Sequence, residues 1–86
     1  NLLFMSTLKE NFLYYLNNQD ELVEKYNGRY LVIKDQKVVG DYNSDDEAYF
    51  DAISKFEEGS FIIQLCTPGK GAYTQNFNSR VIFNSL

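Results

Sequence analysis

Chemistry at neutral pH is usually carried by an imidazole, an activated thiol, a pair of carboxylates or a loop that grips phosphate, and the chain can be tested against each. It contains no histidine. That absence removes Ser–His and Cys–His nucleophile pairs, imidazole acid–base catalysis and nearly all zinc sites. Cys66 is the single thiol, and it follows an apolar run, where a small packed residue is the favoured reading over a nucleophile. Asp41, Asn43 and Asp45 match the opening ligands of a calcium loop. The match then fails, because Asp46 stands where the loop needs glycine and Ala52 where it needs a bidentate glutamate. Gly69, Lys70 and Gly71, with Thr67 and Thr74 nearby, invite comparison with a phosphate loop. Lys70 is followed by glycine instead of the Ser or Thr that holds magnesium, and no helical pattern begins there, so the segment reads as a turn. The adjacent acids Asp45 and Asp46, and Glu57 and Glu58, read as solvated faces. No catalytic residue, metal or cofactor is assigned, and the chain reads as a non-enzyme.

Composition narrows the partners. The 86 residues make one α+β domain, with an aromatic fraction of 16% that comprises seven Tyr and seven Phe and no Trp. Domains of this size bury only about 60–65% of their unfolded surface, so a partner bears on stability. A net charge of −4 without a Lys/Arg cluster argues against a phosphate backbone and against anionic membranes. One cysteine excludes an internal disulfide and fits a reducing compartment, so the expected location is cytoplasmic. No stretch approaches the roughly 18 apolar residues of a membrane span. Residues 1–5 lack the charged and apolar regions of a signal peptide and are expected to be disordered, with Met5 a candidate native start and residues 1–4 a vector-derived addition.

The elements that must position any site are legible from periodicity. Leu8, Phe12, Tyr15, Leu16, Leu22, Val23 and Tyr26 form a stripe with three- and four-residue steps, which predicts one long amphipathic helix with Ser6 as N-cap. Asn18 with Glu21 offers a capping box for a second, shorter helix, but the stripe keeps its phase across the polar patch and a single helix is preferred. Leu13 and Tyr14 point off the stripe. Gly28 is placed for a left-handed helix stop, and the aromatic and β-branched run Tyr30, Leu31, Val32, Ile33 predicts a central strand covered on both faces. Asp35 and Gln36 turn the chain into an edge strand over 37–42, weakened by Gly40 and Asp41. Ser44 and Glu47 form a capping box before a helix whose buried face is Ala48, Tyr49, Ala52, Ile53 and Phe56, ended by Gly59. A second doubly apolar strand follows over 60–66. A right-handed crossover returns it parallel to the edge strand and beside the central one. The prediction is a mixed three- to four-stranded sheet of order 2-1-3, with 80–83 as a fourth strand and 67–78 as a long loop.

The residues Tyr26, Gly28, Arg29 and Tyr30, the apolar run 31–33, the return strand 37–40, the helix start at 44–48 and the strand 61–64 together resemble a family of small uncharacterised bacterial domains. The likeness spans about half the chain, and the tail, with Tyr73, Thr74, Gln75 and 78–83, is similar to members with a longer C-terminus. The resemblance implies a fold and a protein partner, and no catalytic residue.

The leading expectation is a non-enzymatic protein-interaction or regulatory module. The alternative is a small-molecule or anion-binding domain using the 67–80 loop, with Lys70 and Arg80 as contacts. Self-association is also expected. If both helices lay on one face of the sheet, a patch from residues such as Tyr30, Val32, Ile63 or Val81 would be left bare, and a symmetric homodimer is the commonest way to cover it; Leu13 and Tyr14, off the helix stripe, are separate candidates for contact with a partner. Helices on opposite faces would leave the monomer self-sufficient.

Overall fold

A computed structural model describes residues 2–69, with side chains from Thr7 onward. The N-terminal stripe folds as two helices, α1 (Leu2–Asn17) and α2 (Gln19–Tyr26), and not as one. The break is at Asn18, whose backbone leaves the helical region at φ −120° and ψ 14°. Its amide N–H is shared between the carbonyls of Tyr14 and Tyr15, and its Nδ2 also donates to the Tyr14 carbonyl at 2.9 Å. The side chain thus closes the end of α1, and the capping box with Glu21 does not form. Because only one residue intervenes, Leu22, Val23 and Tyr26 still reach the cluster that holds Leu8 and Tyr15. α1 begins at Leu2, so residues 2–5 are helical and Ser6 lies inside the helix instead of capping it.

Gly28 takes the expected left-handed conformation at φ +86°. Its N–H donates to the Cys66 carbonyl, and Cys66 N–H donates to the Arg29 carbonyl, so the helix stop feeds directly into the sheet. β1 (Tyr30–Lys34) runs up the centre and β2 (Lys37–Tyr42) returns along the edge, with a register shift that leaves Val39 as the extra residue between Val38 and Gly40. The turn between them consists of Asp35 and Gln36 alone, both at positive φ (54° and 59°), the geometry of a type I′ hairpin. Asn11, buried on α1, accepts the Gln36 N–H on its Oδ1 at 2.8 Å and so pins the turn to the helix.

α3 (Asp45–Lys55) starts at Ser44, whose Oγ accepts the Glu47 N–H at 3.1 Å while the Glu47 carboxylate accepts the Asn43 N–H. The chain then enters β3 (Phe61–Leu65) after a left-handed Gly59. The sheet order is β2-β1-β3, as the crossover predicts. β3 does run parallel to β2, but β1 lies between them, so both ladders are antiparallel and no two described neighbours are parallel. The predicted fourth strand at 80–83 lies outside the described residues.

The helices occupy opposite faces. Leu31, Ile33, Ile62 and Cys66 pack with Leu8, Tyr15 and Leu22 on the α1–α2 side, and Val32, Phe61 and Ile63 pack with Ala48 and Ala52 under α3. This explains two strands without a polar face. It also removes the bare face that motivated a homodimer: Val32 and Ile63 are buried, and Tyr30 packs into the α3 cluster. Tyr14 lies half-buried against the α1 cluster. Val81 lies outside the described residues. No described helix is long and apolar enough to cross a membrane.

Candidate functional site

The residues singled out for chemistry are engaged in structural work. Cys66 is fully buried, and desolvation pushes its thiol above the ordinary thiol pKa, an effect only partly opposed by the Tyr15 hydroxyl. A thiol held protonated in an apolar setting is a poor nucleophile. Asp41 and Asn43, the calcium-like pair, close on Arg29: its Nε lies 3.0 Å from Asp41 Oδ2, Nη1 donates to Asn43 Oδ1, and Nη2 donates to the Asp41 carbonyl at 3.3 Å. The guanidinium fills the place a cation would take, and no three His, Cys, Asp or Glu side chains gather as metal ligands among the described residues. Lys70 and Arg80 lie outside the described residues.

Two polar arrangements escaped the sequence reading because they join distant segments. At the α1–α2 side, the Tyr15 hydroxyl accepts the Thr67 N–H at 3.3 Å and reaches the carbonyls of Leu65 and Thr67, while Gln19 Nε2 donates to the carbonyls of Thr67 at 2.7 Å and Gly69 at 3.2 Å. These bonds tie the start of the 67–78 segment to the helix joint. Beside it, a cleft of about 310 Å³ is lined by Leu16, Asn17, Asn18, Gln19, Asp20 and Glu21. The carboxylates of Asp20 and Glu21 oppose an anion there, and no acid–base pair or nucleophile is present in the lining.

On the other face, the Tyr42 hydroxyl donates to Asp51 Oδ2, and Lys55 Nζ sits 3.0 Å from the same oxygen. Desolvation, reinforced by the Asp51 carboxylate, pushes Tyr42 up to about 12. The phenol and then Lys55 hold Asp51 below its usual carboxylate value. Gly40 leaves room for this arrangement, since a Cβ there would lie 2.5 Å from the Tyr42 hydroxyl and 2.9 Å from its ring. The trio fastens β2 to α3, and a phenol held neutral beside a carboxylate held ionised has no proton to exchange near pH 7.

What remains is the outer face of α3. Ile53, predicted to be buried, is 40% exposed, and Phe50 is 63% exposed. The reason is which stripe faces the sheet: Ala48 and Ala52, four apart, are buried against Val32, Phe61 and Ile63, and this turns positions 50 and 53 to solvent. The Phe50 ring meets Tyr49 edge-on at 5.5 Å and 68°, and the Tyr49 hydroxyl donates to Glu58 at 2.9 Å, which ties the aromatic pair to the loop after the helix. Phe50 and Ile53 sit one turn apart with exposed Asp46 and Glu47 before them and exposed Glu57 and Glu58 after them. A helical wheel with the alanines taken as the inner stripe would have signalled this face.

No protein-family model, curated protein or solved structure matches the chain. Function is therefore inferred from the chain's own geometry.

Proposed function

We propose that the domain is a non-enzymatic protein-interaction module whose contact surface is the outer face of α3. The observation that carries this reading is the exposure of Phe50 and Ile53, one turn apart, on a helix whose opposite face is already buried by the sheet. Single exposed apolar residues are commonplace, as Leu13 on α1 and Val39 on β2 illustrate. Two on one helix ridge, extended by a half-buried tyrosine, form a patch of the kind that anchors a partner. The absence of histidine and the burial of the only thiol weigh on the same side. Photo-cross-linking tests the reading: a photoreactive phenylalanine at position 50 should give one discrete adduct in the producing cell, and the same group at position 13 should not. Equal ladders from both positions, or no adduct from either, would refute it.

A second reading, a small-molecule or anion site on residues 67–80, has one observation in its favour. The segment's first residues are held by Tyr15 and Gln19, yet Thr67 Oγ1 is buried without a hydrogen-bond partner. A thermal-shift screen against metabolites, repeated on Arg80→Ala, tests it; stabilisation by an anion that the variant loses would place this reading first.

A further inference from the structure

Charge is distributed unevenly along the chain. Residues 45–58 carry six carboxylates (Asp45, Asp46, Glu47, Asp51, Glu57, Glu58) against the single ammonium of Lys55, a formal charge of −5. The whole chain sums to −4, so everything outside this segment is close to neutral at +1. The acidic segment is α3 with its flanks, and it surrounds the exposed Phe50 and Ile53. Part of this charge serves the fold: the first-turn acids complement the helix dipole, Asp51 pairs with Lys55, and Glu58 accepts from Tyr49. Within the segment only Lys55 offsets these carboxylates, and Lys34 of β1 reaches its C-terminal end over the Phe56 ring at 5.5 Å.

From this asymmetry we infer that the α3 face docks a basic amphipathic segment of another protein, one that sets two or three apolar side chains between Lys or Arg residues. The inference rests on the reading of α3 as the contact surface and adds the chemistry of what covers it. A second copy of the chain does not fit. In a symmetric dimer the same patch meets itself, and two segments of −5 would face each other. An anionic membrane or a nucleic acid is repelled for the same reason. A basic segment gains on both counts: its apolar side chains cover Phe50 and Ile53, and its ammonium or guanidinium groups meet the carboxylate rim, which also accelerates encounter.

Three synthetic amphipathic helical peptides test this, with one leucine face in common and polar faces of Lys, Gln or Glu. Each is titrated into the full chain at low salt and followed by amide chemical shifts. The expected result is that the Lys peptide moves amides of residues 46–57 and binds about tenfold more tightly than the Gln peptide, the Glu peptide being weakest. The preference should fade at about 0.5 M salt, where the screening length falls to a few ångströms. Phe50→Ser with Ile53→Ser, both exposed positions, should weaken the Lys peptide by about tenfold or more, while Leu13→Ser leaves it unchanged. If the Gln peptide binds the same amides as tightly as the Lys peptide, the basic partner is wrong and the contact surface stands. If no peptide binds, or if the double variant binds as well as the parent, both fail. Shifts spread over the whole surface, or tight binding to vesicles of anionic lipid, would overturn the inference in favour of unspecific or membrane association.

Discussion

Replacing Gln36 with glycine should make this domain more stable, although glycine adds freedom to the unfolded chain. Asp35 and Gln36 both stand in the left-handed region, at φ 54° and 59°; aspartate is among the few L-residues that tolerate it, and glutamine is not. A left-handed conformation costs an ordinary L-residue about 1–2 kcal/mol, because Cβ crowds the following carbonyl oxygen. Glycine relieves this crowding but gives the unfolded chain extra freedom, worth about 0.4–1 kcal/mol in the opposite direction. The difference runs from about zero to a gain of about 1.6 kcal/mol, centred near 0.8 kcal/mol, or roughly 3–6 °C in Tm for a chain of this length. The 2.8 Å bond from the position-36 N–H to Asn11 Oδ1 survives the change, since it uses only backbone. Gln36→Pro is the opposing control: it fixes φ near −65° and removes the N–H that Asn11 accepts, so it should be destabilising by about 2 kcal/mol or more. Urea unfolding with an unchanged slope reads both effects as a shift of midpoint. A midpoint for Gln36→Gly below that of the parent would refute the reasoning.

Gly40→Ala should displace the Tyr42 ring from Asp51 and lower stability by about 1–3 kcal/mol, and a Tyr42→Phe, Gly40→Ala pair should be less than additive in urea melts. Tyr15→Phe removes the hydroxyl of a buried tyrosine that holds the half-buried Thr67 N–H, so a loss of about 1 kcal/mol is expected, accompanied by faster hydrogen exchange at Thr67. The Tyr42–Asp51 contact should be felt at both ends of the pH scale. Tyr42 is raised from 10.0 to about 12, so its contribution is complete below pH 10 and is lost as pH rises through 12, and absorbance at 295 nm should lack that late step in Tyr42→Phe. Asp51 is lowered from 3.8, so its contribution is complete above that value and is lost as pH falls through the lower, folded-state pKa. Asp51→Asn should flatten the acid limb of a stability profile.

Local signals carried the element types well. The helix stops in a turn where Asn27 leaves the helical region (φ −52°, ψ 125°), Gly28 takes the left-handed position and the Arg29 N–H returns to the Tyr26 carbonyl, and Ser44 with Glu47 started α3 because the hydroxyl and carboxylate satisfy amides that the helix cannot. Periodicity misled at two points where neighbours outweighed pattern. The stripe through Asn18 kept its phase, but one amide side chain turned back to the Tyr14 carbonyl and divided the helix. Ile53 looked like core by hydrophobicity, yet Ala48 and Ala52, flanked by Tyr49 and Phe56, make the stripe that faces the sheet, and Ile53 lies outside it. The exposed pair was missed for that reason: an exposed isoleucine and phenylalanine are recognisable only once the small residues are known to face inward.

By itself the sequence determined the α+β class, the strand order and the lack of imidazole chemistry, because these depend on residue type, local capping and the handedness of a crossover. Which face each helix covers was decided only in three dimensions. A strand apolar on both sides demands two covers without naming them, and α1–α2 and α3 divide the task according to how their side chains pack. The same division left Val32 and Ile63 inside and Phe50 outside, so which apolar side chains stay exposed follows from packing between segments far apart in the chain.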